Sequence, residues 1–361
     1  MLLGLPLLGI FLSGSPVKPY IAFPPKSGNV HHAPFSWIAF VFYSVLIAGI
    51  LTPFVVRTLQ EFGRKRKERK SRTFPWWGWA GLIGGFLFWF LAWTRFPWYK
   101  PFQPHTFTPL WLSYIVVINA LSYRRRGNCL MLDRPLFFIV LFPASAVFWW
   151  FFEYLNRFVE NWSYVLVHTS GWSYFWRATP PFSTVLAAVL STREWMNGMP
   201  WVSYGFRDWV RIGLSRPRIW ACVTLMAAGL GLLGIGVWAN YLFSLLWVSP
   251  LVILLSLQVF LGEEDIFSGI SGGDWRMVVS SAAAALFCGF FWEMWNYWSF
   301  AKWTYQIPFV ARFRVFEMPI LGYAGYLPFG LECAVIGDLL GRALQGNGIT
   351  NRPLQWGGCP R

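Results

Sequence analysis

Long apolar runs separated by short polar loops recur along this chain, and they fix its solvent before any motif is considered. Nine stretches read as candidate spans: 35–56, 75–94, 109–123, 135–155, 181–192, 219–239, 243–261, 277–299 and 326–343. A spanning helix needs about 20 mostly apolar residues, fewer where its ends lie in the interface. The run at 181–192 is short by that measure. Charged residues make up 12% of the 361 and hydrophobic ones 56%, too little polar surface to cover soluble domains of this size. The expected fold class is therefore all-α, a polytopic membrane protein with about nine transmembrane helices.

The net charge of +15 comes from 30 Lys and Arg against 15 Asp and Glu. These cations cluster at the ends of apolar segments, as the positive-inside rule requires, so nucleic acid is not expected as a partner. Placing 57–74 in the cytoplasm puts 21 basic residues on that side and 9 on the other, with a cytoplasmic C-terminus. The run from Arg64 to Arg72 then serves as a topology anchor against anionic lipid. The expected address is a bacterial-type inner membrane. Residues 2–12 are apolar but short and lack a basic flank. They read as an interfacial or re-entrant segment or as an atypical signal peptide.

Five cysteines are scattered without a C-x-x-C pair. His31, His32, His105 and His168 fall in outer loops or beside span ends. Neither a disulfide framework, a metal site nor a haem between helices is expected. No phosphate-binding, dinucleotide, zincin or nucleophile-elbow motif is found, and no cofactor is expected.

The chain resembles itself. Residues 151–164 and 291–305 both follow E-x-x-N, then five or six residues, then W-[ST]-Y. Glu153 and Asn156 match Glu293 and Asn296 at an offset of 140; Trp162 and Tyr164 match Trp303 and Tyr305 at 141. Pro109-Leu110 matches Pro250-Leu251, and Asp133 matches Asp274. Pro181-Phe182 matches Pro328-Phe329 after a short insertion. A constant offset across such landmarks predicts two parallel tandem four-helix repeats plus one N-terminal helix. The expected units are 1–74 (N-terminal segment, first helix and basic loop), 75–192 (first repeat), 193–218 (linker), 219–343 (second repeat) and 344–361 (tail).

Each E-x-x-N pair shares one helical face, inside runs rich in aromatics. An unpaired carboxylate there would cost several kcal/mol or take up a proton, so Glu293 and Glu153 read as proton donors or as ties for the following loop. The duplicated pair Glu153 and Asn156 leans towards the structural role, since a catalytic site is needed once. Glu332, in the last span, aligns with Val185 and has no acidic twin; Glu317 has none either. Ionisable groups within spans default to function, which makes Glu332, Glu293 and Glu317 the candidate catalytic residues. Asp338 sits nearer the interface. Asn119 reads as interhelical glue.

A helix-end acid, then Trp-x-Tyr, then Leu327-Pro328 leading to Glu332, resembles the small membrane lycopene cyclase domain. The likeness covers mainly 290–333, with an echo in 151–186, and the interval from Pro328 to Glu332 differs from that family's Pro–Glu motif. The chain also looks like tryptophan-rich bacterial inner-membrane proteins. The resemblance implies tandem helical units, a lycopene-cyclase-like isomerase or cyclase activity, and acids Glu293 and Glu332 acting on an isoprenoid. Protonating a polyene needs a neutral acid in an apolar site and aromatic faces to stabilise the cation. Trp292, Trp295, Asn296, Tyr297, Trp298 and Tyr326 are the substrate-binding candidates. Membrane lipids and a hydrophobic small molecule are the expected partners. Three functions follow: a membrane-embedded enzyme with carboxyl acid–base chemistry, a proton- or cation-coupled transporter or channel, and an accessory subunit of a membrane complex.

Overall fold

Prolines at first turns and left-handed residues past the last ones cut the apolar runs into helices. They are α1 (Gly4–Leu12), α2 (Trp37–Phe62), α3 (Trp76–Trp93), α4 (Phe107–Arg126), α5 (Pro135–Val159) and α6 (Gly171–Ser183). Then follow α7 (Val185–Asn197), α8 (Pro217–Gly234), α9 (Leu245–Leu261), α10 (Arg276–Tyr297) and α11 (Tyr326–Gly346). Pro135 and Pro217 open α5 and α8, where a missing N–H leaves no helical bond unmade. Gly127 after α4 and Gly262 after α9 take φ of 79° and 70°, conformations that only glycine adopts freely.

The structure, a computed structural model, describes residues 1–25, 28–64, 71–165 and 170–346. Most of the basic run, His168, Cys359 and nearly all of the tail lie outside the described residues. Among the described residues sheet is confined to two tiny ladders: β1 (Trp162–Tyr164) with β2 (Trp303–Tyr305), and β3 (Arg314–Val315) with β4 (Met318–Pro319).

Among the described residues seven helices are long and apolar enough to cross a membrane: α2, α3, α4, α5, α8, α10 and α11. Of the nine expected spans, 243–261 is the shorter α9, and 181–192 runs across the junction of α6 and α7. The large apolar side chains left exposed, such as Trp76, Ile83 and Phe90 on α3, are what a lipid-facing surface requires.

The α6–α7 junction has a specific cause. Pro180 and Pro181 strip donors from the end of α6. Ser145 of α5 fills the gap: its hydroxyl donates to the Phe182 carbonyl at 2.6 Å and accepts from the Leu186 amide at 3.0 Å. Those two backbone groups, four residues apart, would have bonded to each other in a continuous helix. A neighbouring hydroxyl thus satisfies backbone freed by a break at membrane depth.

Helix neighbours recur in the two halves. α3 packs on α4 as α8 packs on α9; α4 meets α7 as α9 meets α11; α5 meets α7 as α10 meets α11. Between bilayer-bound helices close approach and hydrogen bonds matter more than water exclusion. Asn119 accordingly donates to Ser191 Oγ at 2.9 Å, tying α4 to α7. Gly330 of α11 lets that helix press on α10, since a Cβ there would lie 2.2 Å from the Ser281 carbonyl oxygen. The apolar segment near the N-terminus forms α1 and packs on α8, burying Ile10.

α2 stands apart from this bundle. Its most apolar window is unburied, and it is held near its two ends. At one end the Ser36 amide donates to Phe309 O at 2.9 Å, and Phe40 lies 5.2 Å from Phe313 between ring centroids. At the other, Arg57 Nε donates to Gly205 O at 2.8 Å, and Phe54 packs on Trp209.

Candidate functional site

At the C-terminal ends of α5 and α10 the chain turns into β1 and β2, and the Asn of each motif makes the turn. Asn156 Nδ2 donates to Trp162 O at 2.8 Å, and Asn296 Nδ2 donates to Trp303 O at 2.8 Å. Each amide oxygen accepts from the same tryptophan's backbone N–H, at 3.4 and 2.9 Å. The two strands so fixed pair antiparallel, Trp162 with Tyr305, Ser163 with Thr304 and Tyr164 with Trp303.

Side chains from this ladder reach back to the two buried acids. Glu153 Oε1 accepts from Tyr164 OH at 2.6 Å, Trp162 Nε1 at 3.0 Å and Trp149 Nε1 at 3.1 Å. Glu293 Oε1 accepts from Tyr305 OH and Tyr326 OH, both at 2.7 Å, while its Oε2 has no partner. Trp303 Nε1 donates to the Tyr305 hydroxyl at 2.7 Å rather than to the acid. The two sites therefore differ in kind. Both are buried: one phenol and two indoles donate to one oxygen of Glu153, whereas two phenols donate to one oxygen of Glu293.

Above these networks lies a cavity of about 890 Å³, within the ~300–1,000 Å³ typical of small-molecule sites. Trp162, Tyr164, Trp303 and Tyr305 of the ladder line it, with Trp149, Trp247, Trp292 and Tyr326 on the walls. Phe182 and Val185 at the helix break lie on one side, and Tyr43, Leu46, Ile47, Ile50 and Leu51 of α2 close the face toward lipid. Leu46 and Ile50 remain about half exposed, so this wall is thin. Arg177 and Lys302 bring the positive charge among the lining residues.

Close approach places Tyr326. A Cβ on Gly289 would sit 2.5 Å from the Tyr326 ring, so the glycine lets that ring lie against α10 and turn its hydroxyl to Glu293. Trp292 stacks on the same ring with 6.0 Å between centroids.

The candidate residues are dispersed around this chamber. Trp292 and Tyr326 line it, and Glu293 lies one hydrogen bond behind its wall. Glu332 is buried and absent from the lining, and among the described residues no side chain is hydrogen-bonded to its carboxyl. Glu317 is on the β3–β4 hairpin, in ion pairs with Lys302 at 2.6 Å and Arg314 at 3.8 Å. Trp295 packs against Trp111 in the interior, Asn296 holds the turn, and Tyr297 and Trp298 point outward. Asp338 pairs with Arg342 at the opposite end of α11.

Sequence reading missed Trp149, Trp247, Arg177 and the contribution of α2. Trp149 stands one helical turn before Glu153, a spacing that could have flagged it. Nothing in the sequence marks α2 as a cavity wall.

Comparison with family models, with curated proteins and with solved structures finds no match for this chain.

Proposed function

We propose that this integral membrane protein is an enzyme acting on a lipid or isoprenoid-like substrate by acid–base chemistry in the cavity between its halves. The observation that carries the reading is the Glu293 network, in which a fully buried carboxyl is linked to two phenols that both line an aromatic chamber. With Glu293 protonated, its O–H would donate to the Tyr326 oxygen and turn the phenol proton toward a bound double bond. After that proton leaves, Glu293 re-protonates the phenol, and Trp292, Trp149 and Trp247 offer π-faces to the cation. The Glu293 carboxylate then takes back, through Tyr326, the proton the cation loses. Glu153, with three donors on one oxygen, holds the floor in place.

The reading includes two parallel four-helix units, 75–192 and 219–343. Support comes from the strand register, because exchanging the halves returns the same pairs: Trp162 with Tyr305 becomes Trp303 with Tyr164. The recurring helix neighbours point the same way. In this arrangement the ladder faces the outside and the basic end faces the cytoplasm of a bacterial-type cell.

A transporter would need a polar route through the protein. A second, polar cavity of about 540 Å³ lies around Arg193, Asp274 and Asp338, and it shares no lining residue with the first. That separation favours an enzyme with a chamber closed on one side. The test is conversion in membranes overexpressing the protein, followed by lipid mass spectrometry. Wild type is expected to deplete one lipid and enrich another, and Glu293→Gln and Tyr326→Phe to abolish the change. An identical profile for all three would refute the enzymatic reading.

A further inference from the structure

The cavity has one end with an unusual charge balance. Arg177 of α6 lies among its lining residues, together with Lys302 beside β2. Lys302 is engaged by Glu317, and that carboxylate also faces Arg314. Arg177 has no ion-pair or hydrogen-bond partner among the described residues. It is an exposed side chain on this otherwise largely apolar lining, so its guanidinium is open to an anionic group entering from outside.

A bond between neighbouring helices puts this charge toward the ladder end. Thr179, two residues from Arg177 on α6, accepts from Trp150 Nε1 at 3.1 Å, on the half of α5 that leads into the ladder. Below it the chamber runs beside α2 from Tyr43 to Leu51, about 12 Å at roughly 1.5 Å per residue. Leu46 and Ile50 in that wall are half open to the surroundings. The shape is an apolar slot behind the thin α2 wall, with a cation among its lining residues.

We propose that the ligand of this cavity is an amphiphile with an isoprenoid or acyl chain and a phosphate head, the phosphate being held by Arg177. Guanidinium matches phosphate by paired N–H donors, which gives orientation as well as affinity. The head would fix the chain so that its hydrocarbon lies over Tyr326 and Trp292. This inference rests on the cavity being the substrate chamber, and it names the substrate's head.

The test uses the full-length protein in a neutral detergent, titrated with farnesyl phosphate or farnesol and followed by tryptophan fluorescence and native mass spectrometry. Farnesyl phosphate is expected to bind one to one and at least tenfold more tightly than farnesol. Arg177→Gln is expected to remove that preference while leaving farnesol affinity unchanged, and Arg177→Lys to restore part of it. Competition by phosphatidylglycerol but not phosphatidylcholine would assign the phosphate to membrane phospholipid; no competition by either would assign it to a prenyl phosphate. Equal binding of farnesol and farnesyl phosphate would overturn the headgroup assignment and leave the chamber standing. Binding of neither probe would overturn the chamber as well.

Discussion

Ser163 and Thr304 face each other at the centre of a three-pair antiparallel ladder, their hydroxyl oxygens 3.5 Å apart. On either side of this pair a tryptophan meets a tyrosine, and each tyrosine returns to the acid of its own helix. The ladder thus couples two helix ends and two buried carboxyls into one floor. Its stability and the geometry above it depend on groups that have few alternatives in a dry setting.

Asn296 satisfies both backbone groups of Trp303. Removing it in Asn296→Ala leaves a buried N–H and C=O unpaired, at about 1–3 kcal/mol each. Thermal unfolding in detergent is expected to drop by several degrees, and the same holds for Asn156→Ala. Asn296→Asp, which keeps the acceptor and loses the donor, should fall between. Unchanged unfolding temperatures would show that the turn holds without its amide.

Ser145 occupies the break between α6 and α7. Ser145→Ala should destabilise the protein by about 2 kcal/mol or more, because the Phe182 carbonyl and Leu186 amide lose their shared partner. Ser145→Thr, which retains the hydroxyl, is expected to recover most of that loss. Chemical unfolding in mixed micelles measures both. Equal behaviour of the two variants would mean that the break is satisfied by other groups.

Glu332 and Glu293 differ in surroundings, and so should their variants. Glu332 is buried outside the chamber, and among the described residues no side chain is hydrogen-bonded to its carboxyl. Glu332→Gln is therefore expected to keep conversion, and Glu332→Leu to leave stability unchanged or raise it by about 1 kcal/mol. Glu293→Gln should abolish conversion. The opposite pattern would return the acid role to the last span.

Gly289 sets the position of Tyr326. Gly289→Ala should push the phenol off Glu293 and lower conversion to the level of Tyr326→Phe, with unfolding shifted by only about 1–3 kcal/mol as in other overpacked interiors. Lipid conversion alongside a melting curve separates the two effects. Full activity in Gly289→Ala would indicate that the Tyr326–Glu293 bond is dispensable.

The membrane class was legible because apolar runs of span length have no soluble explanation. The structural role of Asn156 was legible from its duplicated motif, whereas Asn296, expected to bind substrate, holds the Trp303 backbone in the same way. The role of α2 was not legible. Its sequence reads as any apolar span, and only the packing near its ends, at Phe40 and Phe54, leaves its middle across the chamber. Glu332 stood out in sequence because an acid in an apolar run is rare, but periodicity cannot tell which neighbour a buried face meets. Arg177 carried no motif, and only the fold places it among the lining residues of the cavity.

The account turns on whether a defined hydrocarbon ligand occupies the chamber against Tyr326. Photocrosslinking from p-benzoylphenylalanine placed at Phe182, inside the cavity, and at Ile38, on the exposed face of α2, measures this directly. The expected result is one dominant lipid adduct at Phe182, distinct from the bulk composition captured at Ile38, and accumulating as unconverted substrate in Glu293→Gln. Identical bulk-lipid adducts at both positions, unaffected by Glu293→Gln, would contradict it.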